Sequence, residues 1–191
     1  MSSTKLAITD LLSLPNSEVK IPRLGFGVYL SHNKQCVTSC LTALKAGYRY
    51  VSFHLVVNFR GAAHLLTFSS HIDTAQFYGN EKEVGEAVRQ SGLNRSDVFI
   101  TTKVMSASGS LDKTYESVPD SVKKIDGESG LVDLFLIHTA SGGKAARKEM
   151  WLALEKLHDA GKARSIGVSN WGIGHIEEMK EYRINCCIRP F

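Results

Sequence analysis

Proline, cysteine and long apolar runs are scarce in this sequence, and each shortage excludes something. With 4 prolines and 16 glycines in 191 residues, the chain is neither collagen-like nor a Pro/Gly-rich disordered polymer. The 4 cysteines fall at Cys36 and Cys40, within one amphipathic stretch, and at the adjacent pair Cys186 and Cys187. No CxxC pair, zinc spacing or disulfide framework results, so reduced thiols in a cytoplasmic setting are expected and no metal site is. The longest apolar region, within residues 50–70, is interrupted by His54, Asn58, Arg60 and His64. It falls short of the roughly 18 unbroken apolar residues of a membrane span, so no membrane partner is expected. The opening MSSTKLAITD has no basic start followed by an apolar run, and a secretory signal is not expected either.

A net charge of +4 is small for this length, and its lysines and arginines are interleaved with acids, as in RKEMWLALEKLHDAGKAR. That leaves no basic stripe for nucleic acid. A hydrophobic content of 43% with 22% charged residues is instead that of one globular domain, residues 1–191.

Short apolar runs alternate with amphipathic ones. LGFGV (Leu24 to Val28), HIDTA (His71 to Ala75), DVFITTKV (Asp97 to Val104), LVDLFLIHT (Leu131 to Thr139) and SIGVSN (Ser165 to Asn170) read as strands. LVDLFLIHT has the unbroken apolar character of a strand buried on both faces. Between them lie helical patterns. The first sets Val37, Leu41 and Leu44 inward with Gly47 as its stop, and the second Val84, Ala87 and Val88, ending at Gly92. The third has Pro119 inside it as a kink or delay. The fourth turns Trp151, Leu154 and Leu157 inward and stops at Gly161, and GIGHIEEMKEY opens a fifth. Such alternation predicts an α/β fold of parallel strands joined by right-handed crossovers, either a doubly wound sheet or a (β/α) barrel.

In either architecture, chemistry gathers where strands end. HI releases Asp73, with Tyr78 five residues on. FITT releases Lys103, LFLI releases His138, and IGV releases Ser169 and Asn170. Each alone has a plain reading: a helix cap, a solvated lysine, a satisfied histidine, a rim aromatic. Their recurrence at one pole argues for a site, because unpaired charges are costly to bury. Gly25 and Gly27 lack the third glycine of a dinucleotide fingerprint and are read as close backbone approaches at the rim. Trp151 reads as core, and Trp171 as core or rim.

HIDTAQFYGNE, FITTKV, LFLIHT and AGKARSIGVSNW, in this order and at these intervals, resemble the aldo-keto reductases. The resemblance implies a partial (β/α)8 TIM barrel with about five of eight β/α units, and hydride transfer from a nicotinamide cofactor, NADPH by family with NADH as the alternative, to a small-molecule aldehyde or ketone. It implies Tyr78 as the proton donor, Lys103 as the cation beside it, Asp73 holding Lys103, and His138 orienting the carbonyl oxygen. Ser169 and Asn170, with Asp73, would contact the nicotinamide end of the cofactor, and Tyr29 with His138 would line the substrate pocket. A complete member would be monomeric. A non-catalytic interaction protein on the same fold, or a truncated product without activity, are the alternatives.

Two segments break the pattern. Without residues 50–70 the flanks join as AGYRHIDTAQFYGNE, so this stretch is expected to be an irregular insertion at the start of the second barrel strand. It reads as a retained intron or as a genuine surface insertion. Residues 183–191 form a divergent tail, with no sixth strand expected.

Overall fold

The computed structural model describes residues 10–14, 17–46 and 70–182. Gly47, Cys186, Cys187 and the tail 183–191 lie outside the described residues, as does the atypical segment apart from Ser70.

Five strands form one parallel sheet: β3 (Phe26–Gly27), β4 (Ser70–Asp73), β5 (Val98–Val104), β6 (Leu134–Ile137) and β7 (Ile166–Val168). Their spatial order is their chain order, β3-β4-β5-β6-β7. A doubly wound sheet would reverse direction at a switch point. The unreversed order is that of consecutive barrel strands and decides between the two expected architectures.

Helices α1 (Asn33–Lys45), α2 (Glu81–Gln90), α3 (Leu111–Asp126), α4 (Gly143–Asp159) and α5 (Ile173–Met179) alternate with these strands. Side-chain alternation along β5 explains the two layers it separates. Ile100 and Val104 join Val84, Val122, Phe135 and Trp151 in the core between sheet and helices. Phe99 points to the other face, where it meets Leu134 and Val19. All seven residues of β5 are buried. That continuous burial is the expectation formed for β6, whose Leu136 is instead only half-buried.

A second, antiparallel sheet was not expected from the sequence. β1 (Leu11–Ser13) pairs with β2 (Lys20–Pro22), Leu11 opposite Pro22. Its Leu14 and Ile21 pack beside Phe99 and Leu134, closing the amino end of the sheet's inner face. Leu14 N–H to Val19 O (3.0 Å) continues the pairing beyond the strands.

The structure corrects the sequence reading in several places. Only Phe26 and Gly27 of LGFGV pair as strand. β4 begins at Ser70, paired with Val98, so the last residue of the segment 50–70 takes part in the second barrel strand. Helix α1 buries Cys36, Cys40, Ala43 and Leu44, with Val37 and Leu41 only partly covered. The two small, apolar thiols therefore take the position assigned to the larger side chains. Helix α3 starts at Leu111, capped by the Ser110 hydroxyl, and runs through Pro119 without a break. Gly25 does mark a close approach, since a Cβ there would lie 2.4 Å from His71 Nδ1, whereas one at Gly27 would meet nothing within 4 Å.

At the amino pole, buried Asp133 joins neighbouring strands. It accepts from the Ile100 N–H (2.9 Å), Arg95 (2.9 Å) and Arg164 (2.9 Å). No helix among the described residues is long and apolar enough to cross a membrane.

Candidate active site

Parallel pairing puts every carboxyl end of the sheet at one pole, and the pairing register then decides which side chains meet. Asp73 is the last residue of β4 and pairs with Thr101. Lys103 lies two residues further along β5, on the same face, within diagonal reach of Asp73. Its ammonium donates to the Asp73 carboxylate and to the Thr74 carbonyl (2.9 Å). Lys103 is only 5% exposed, and an unpaired ammonium at such a place would cost several kcal/mol or so. The plain reading of a solvated loop lysine is thereby removed.

After β4 the chain makes one 3₁₀ turn, Gln76–Tyr78, ended by Gly79 in the left-handed region (φ 65°). Glycine suits that conformation because it has no Cβ to clash. The turn presents Tyr78 so that the Lys103 ammonium lies 5.0 Å from its ring centroid. Tyr29, following β3, packs against Tyr78 with ring centroids 5.1 Å apart. Both Tyr29 and Phe77 are 58% exposed, leaving an aromatic rim at this pole.

His138 follows β6, its N–H bonded to Val104 O at 2.9 Å. Its imidazole stands edge-on to Tyr78 (5.6 Å between centroids) and to Phe77 (6.1 Å). Burial, and then the nearby Lys103 charge, hold it below the usual histidine range. The ring is therefore neutral at neutral pH and keeps one N–H to donate. Nδ1 of this ring is buried with no hydrogen-bond partner among the described residues.

Ser169 and Asn170 follow β7. Asn170 has φ 59°, a left-handed conformation that asparagine tolerates better than most residues. Its side-chain amide donates to the His138 carbonyl (2.9 Å) and to Ser169 Oγ (3.1 Å). Asp73, Tyr78, Lys103 and His138 thus stand together, with Tyr29 against Tyr78 and the Ser169–Asn170 pair tied to His138.

Beneath them, a cavity of about 670 Å³ occupies the inner face of the sheet. Leu12 and Ile21 of the hairpin form its floor, Leu134 and Leu136 a wall, and Asp73 and Asn170 part of its mouth. Of the four clustered groups only Asp73 lines it, so the reactive groups stand at the rim and the volume below is largely apolar. Trp171 lines the same cavity, with its buried Nε1 lacking a partner among the described residues. No group of three His, Cys, Asp or Glu among the described residues is arranged to hold a metal.

Residues 40–187 match the sequence profile of the Aldo/keto reductase family. The chain belongs to the aldo/keto reductase family. Glyoxal reductase of Bacillus subtilis is 34% identical over 174 residues, covering 91% of this chain and 54% of that protein. The crystal structure of an aldo/keto reductase from Brucella melitensis superposes with a TM-score of 0.74 at 36% identity, over 91% of this chain and 59% of that one. An aldo-keto reductase of Bombyx mori, solved in complex with NADP, gives 0.70 at 25% identity, over 97% of this chain and 57% of its own. The chain spans about half the length of the curated relatives it matches, and its five-stranded sheet is part of their (β/α)8 barrel.

Two site residues of this aldo/keto reductase escaped the sequence reading. Asn80 is fully buried. It accepts from Thr74 Oγ1 (2.7 Å) and donates to Val28 O (2.8 Å) and Ser31 O (2.7 Å), tying the loop that carries Tyr29 to the turn that carries Tyr78. Its signal was present as the GN of QFYGNE. The other is Gln76, a residue type with no positional signal in the sequence.

Proposed function

We propose that this chain carries the reducing site of an NADPH-dependent oxidoreductase that converts an aldehyde or ketone to an alcohol. The observation that carries the proposal is that the ring of Tyr78 stands against both the Lys103 ammonium, itself paired with Asp73, and the neutral His138 ring. NADPH, when bound, supplies the hydride. Negative charge then grows on the carbonyl oxygen, and the chain must meet that charge with donors. His138 is the neutral donor that orients the oxygen, and Tyr78 gives it the proton. Lys103 holds positive charge behind Tyr78, and Asp73 keeps the ammonium fixed.

The residues at the end of β7 fit the nicotinamide end of the cofactor. Asn170 and Asp73 both line the cavity, with Ser169 held by Asn170, and the cavity falls within the ~300 to 1,000 Å³ of small-molecule sites. Tyr29 and His138 face the carbonyl substrate in this reading. The neighbour from Bombyx mori, solved with NADP, supports the choice of cofactor. The name of the Bacillus subtilis relative supports a small aldehyde such as glyoxal as the first compound to try.

The test is isotopic. With NADPH deuterated at the transferring position of the nicotinamide, mass spectrometry of the product should find one deuterium on the former carbonyl carbon. Alcohol formed without deuterium, or no alcohol at all, contradicts the proposal. The same reading takes residues 50–70 as intron-derived, and a mature transcript carrying their codons as its main form would refute that.

A further inference from the structure

We propose that Gln76 is a positioning residue that fixes the Tyr78 turn against the strand bearing Lys103, and so sets the geometry of proton donation. The inference rests on the reducing site proposed above. Lys103 is immobilised by Asp73 and by Thr74 O. Tyr78, by contrast, belongs to a three-residue turn whose internal bonds, Tyr78 N–H to Ala75 O (3.0 Å) and Gly79 N–H to Gln76 O (3.1 Å), hold the turn together without anchoring it. Where that turn sits is decided by its outside contacts.

Asn80 supplies one of these, toward the Tyr29 loop. The contact toward Lys103 is made by Gln76. Its Oε1 accepts from the Met105 N–H (3.3 Å), two residues beyond Lys103. Its Nε2 donates to Ser121 Oγ (3.0 Å) and reaches Ser117 O (3.5 Å) on α3. A backbone N–H only donates, which fixes the orientation of the amide. One side chain therefore joins turn, strand end and helix, and both ends of its amide are used. Ser121 is 1% exposed, so the helix-side partner is held inside the packing. Removing the amide leaves the Met105 N–H and Ser121 hydroxyl without this partner and lets the turn shift relative to Lys103. Misplacement by about 1 Å can lower a rate by up to ~100-fold without touching binding.

Gln76→Met keeps the length and loses both hydrogen bonds, and Ser121→Ala removes the helix-side partner alone. Two readouts are needed on the full chain. The first is kcat and KM with glyoxal and NADPH. The second, independent of turnover, is the NMR cross-relaxation between the Tyr78 and His138 rings. The expected result for Gln76→Met is a kcat lower by ~10- to 100-fold at unchanged KM for NADPH, with the ring-to-ring signal weakened, and a smaller effect of the same kind for Ser121→Ala. Variants that melt earlier yet keep the wild-type kcat, KM and ring signal would overturn the inference, because Gln76 would then serve packing alone. If the wild-type chain shows no turnover, the proposed reaction fails while the ring signal still decides the role of Gln76.

Discussion

Replacing Lys103 by methionine isolates the electrostatic part of the site, because the apolar stem is conserved and only the ammonium is lost. Removing one member of a fully buried ion pair costs about 3 to 5 kcal/mol, since the remaining charge is left without compensation. Here the Lys103 side chain is 6% exposed but that of Asp73 is 38% exposed, so water relieves part of the stranded carboxylate. A loss of about 2 kcal/mol is expected, below that range and within the ~1.5 to 3 kcal/mol of a charged hydrogen bond. For a chain of this size it corresponds to a melting point lower by about 4 to 8 °C. The second half of the prediction is sharper. Adding Asp73→Asn to Lys103→Met removes the stranded charge and should recover about half of the loss. Scanning calorimetry of the wild type, both single variants and the double variant completes the cycle. A Lys103→Met variant as stable as the wild type would refute the pairing, and so would a double variant no more stable than Lys103→Met.

Two further predictions follow from the packing and from the histidines. Gly85 lies where α2 crosses α3, and a Cβ there would come within 2.3 Å of Ile125 O and 2.7 Å of Lys124 O. Gly85→Ala should therefore destabilise by about 1 kcal/mol in urea unfolding, the overpacking cost of ~1 to 3 kcal/mol exceeding the ~1 kcal/mol that alanine gains as a helix former. A gain in stability would mean that the helices stand further apart. Burial is the largest cause holding both His71 and His138 below the usual histidine range. The unfolded chain then binds more protons than the folded one, so this contribution is full above pH ~6.5 and is lost as the pH falls through the folded values. Urea midpoints should decline on acidification below that point, and His71→Asn should make the decline shallower; a slope identical to that of the wild type would contradict it.

How much of this was legible depended on whether a residue's role is set by its place along a strand or by its surroundings. Asp73, Lys103, His138 and the pair Ser169–Asn170 each follow an apolar run, and parallel pairing gathers such positions whatever the loops do. The inward faces of α2 and α4 were likewise readable from spacing: Val84, Ala87 and Val88, and Trp151, Leu154 and Leu157, are buried as read. The hairpin was hidden because its strands have three residues each and burial patterns with no alternation. In α1, the larger Val37 and Leu41 drew the reading, while packing against α2 selected the smaller Cys36 and Cys40. Pro119 costs α3 one backbone hydrogen bond, yet Val118, Ser121, Val122 and Ile125 bury one face of the helix and outweigh that loss. Gln76 and Asn80 hold the site through amide groups whose partners, backbone atoms and the hydroxyls of Thr74 and Ser121, are set by the fold; the GN of QFYGNE hints at Asn80, but nothing local marks Gln76.

Steady-state oxidation of NADPH by the full chain with a simple aldehyde, compared with Tyr78→Phe, tests most directly whether the four clustered groups form one reducing site. The account predicts turnover by the wild type and a kcat lower by ~10² to 10⁴ in the variant, the usual weight of a positioned proton donor. Equal rates for the two proteins, or no aldehyde-dependent oxidation by either, would contradict it.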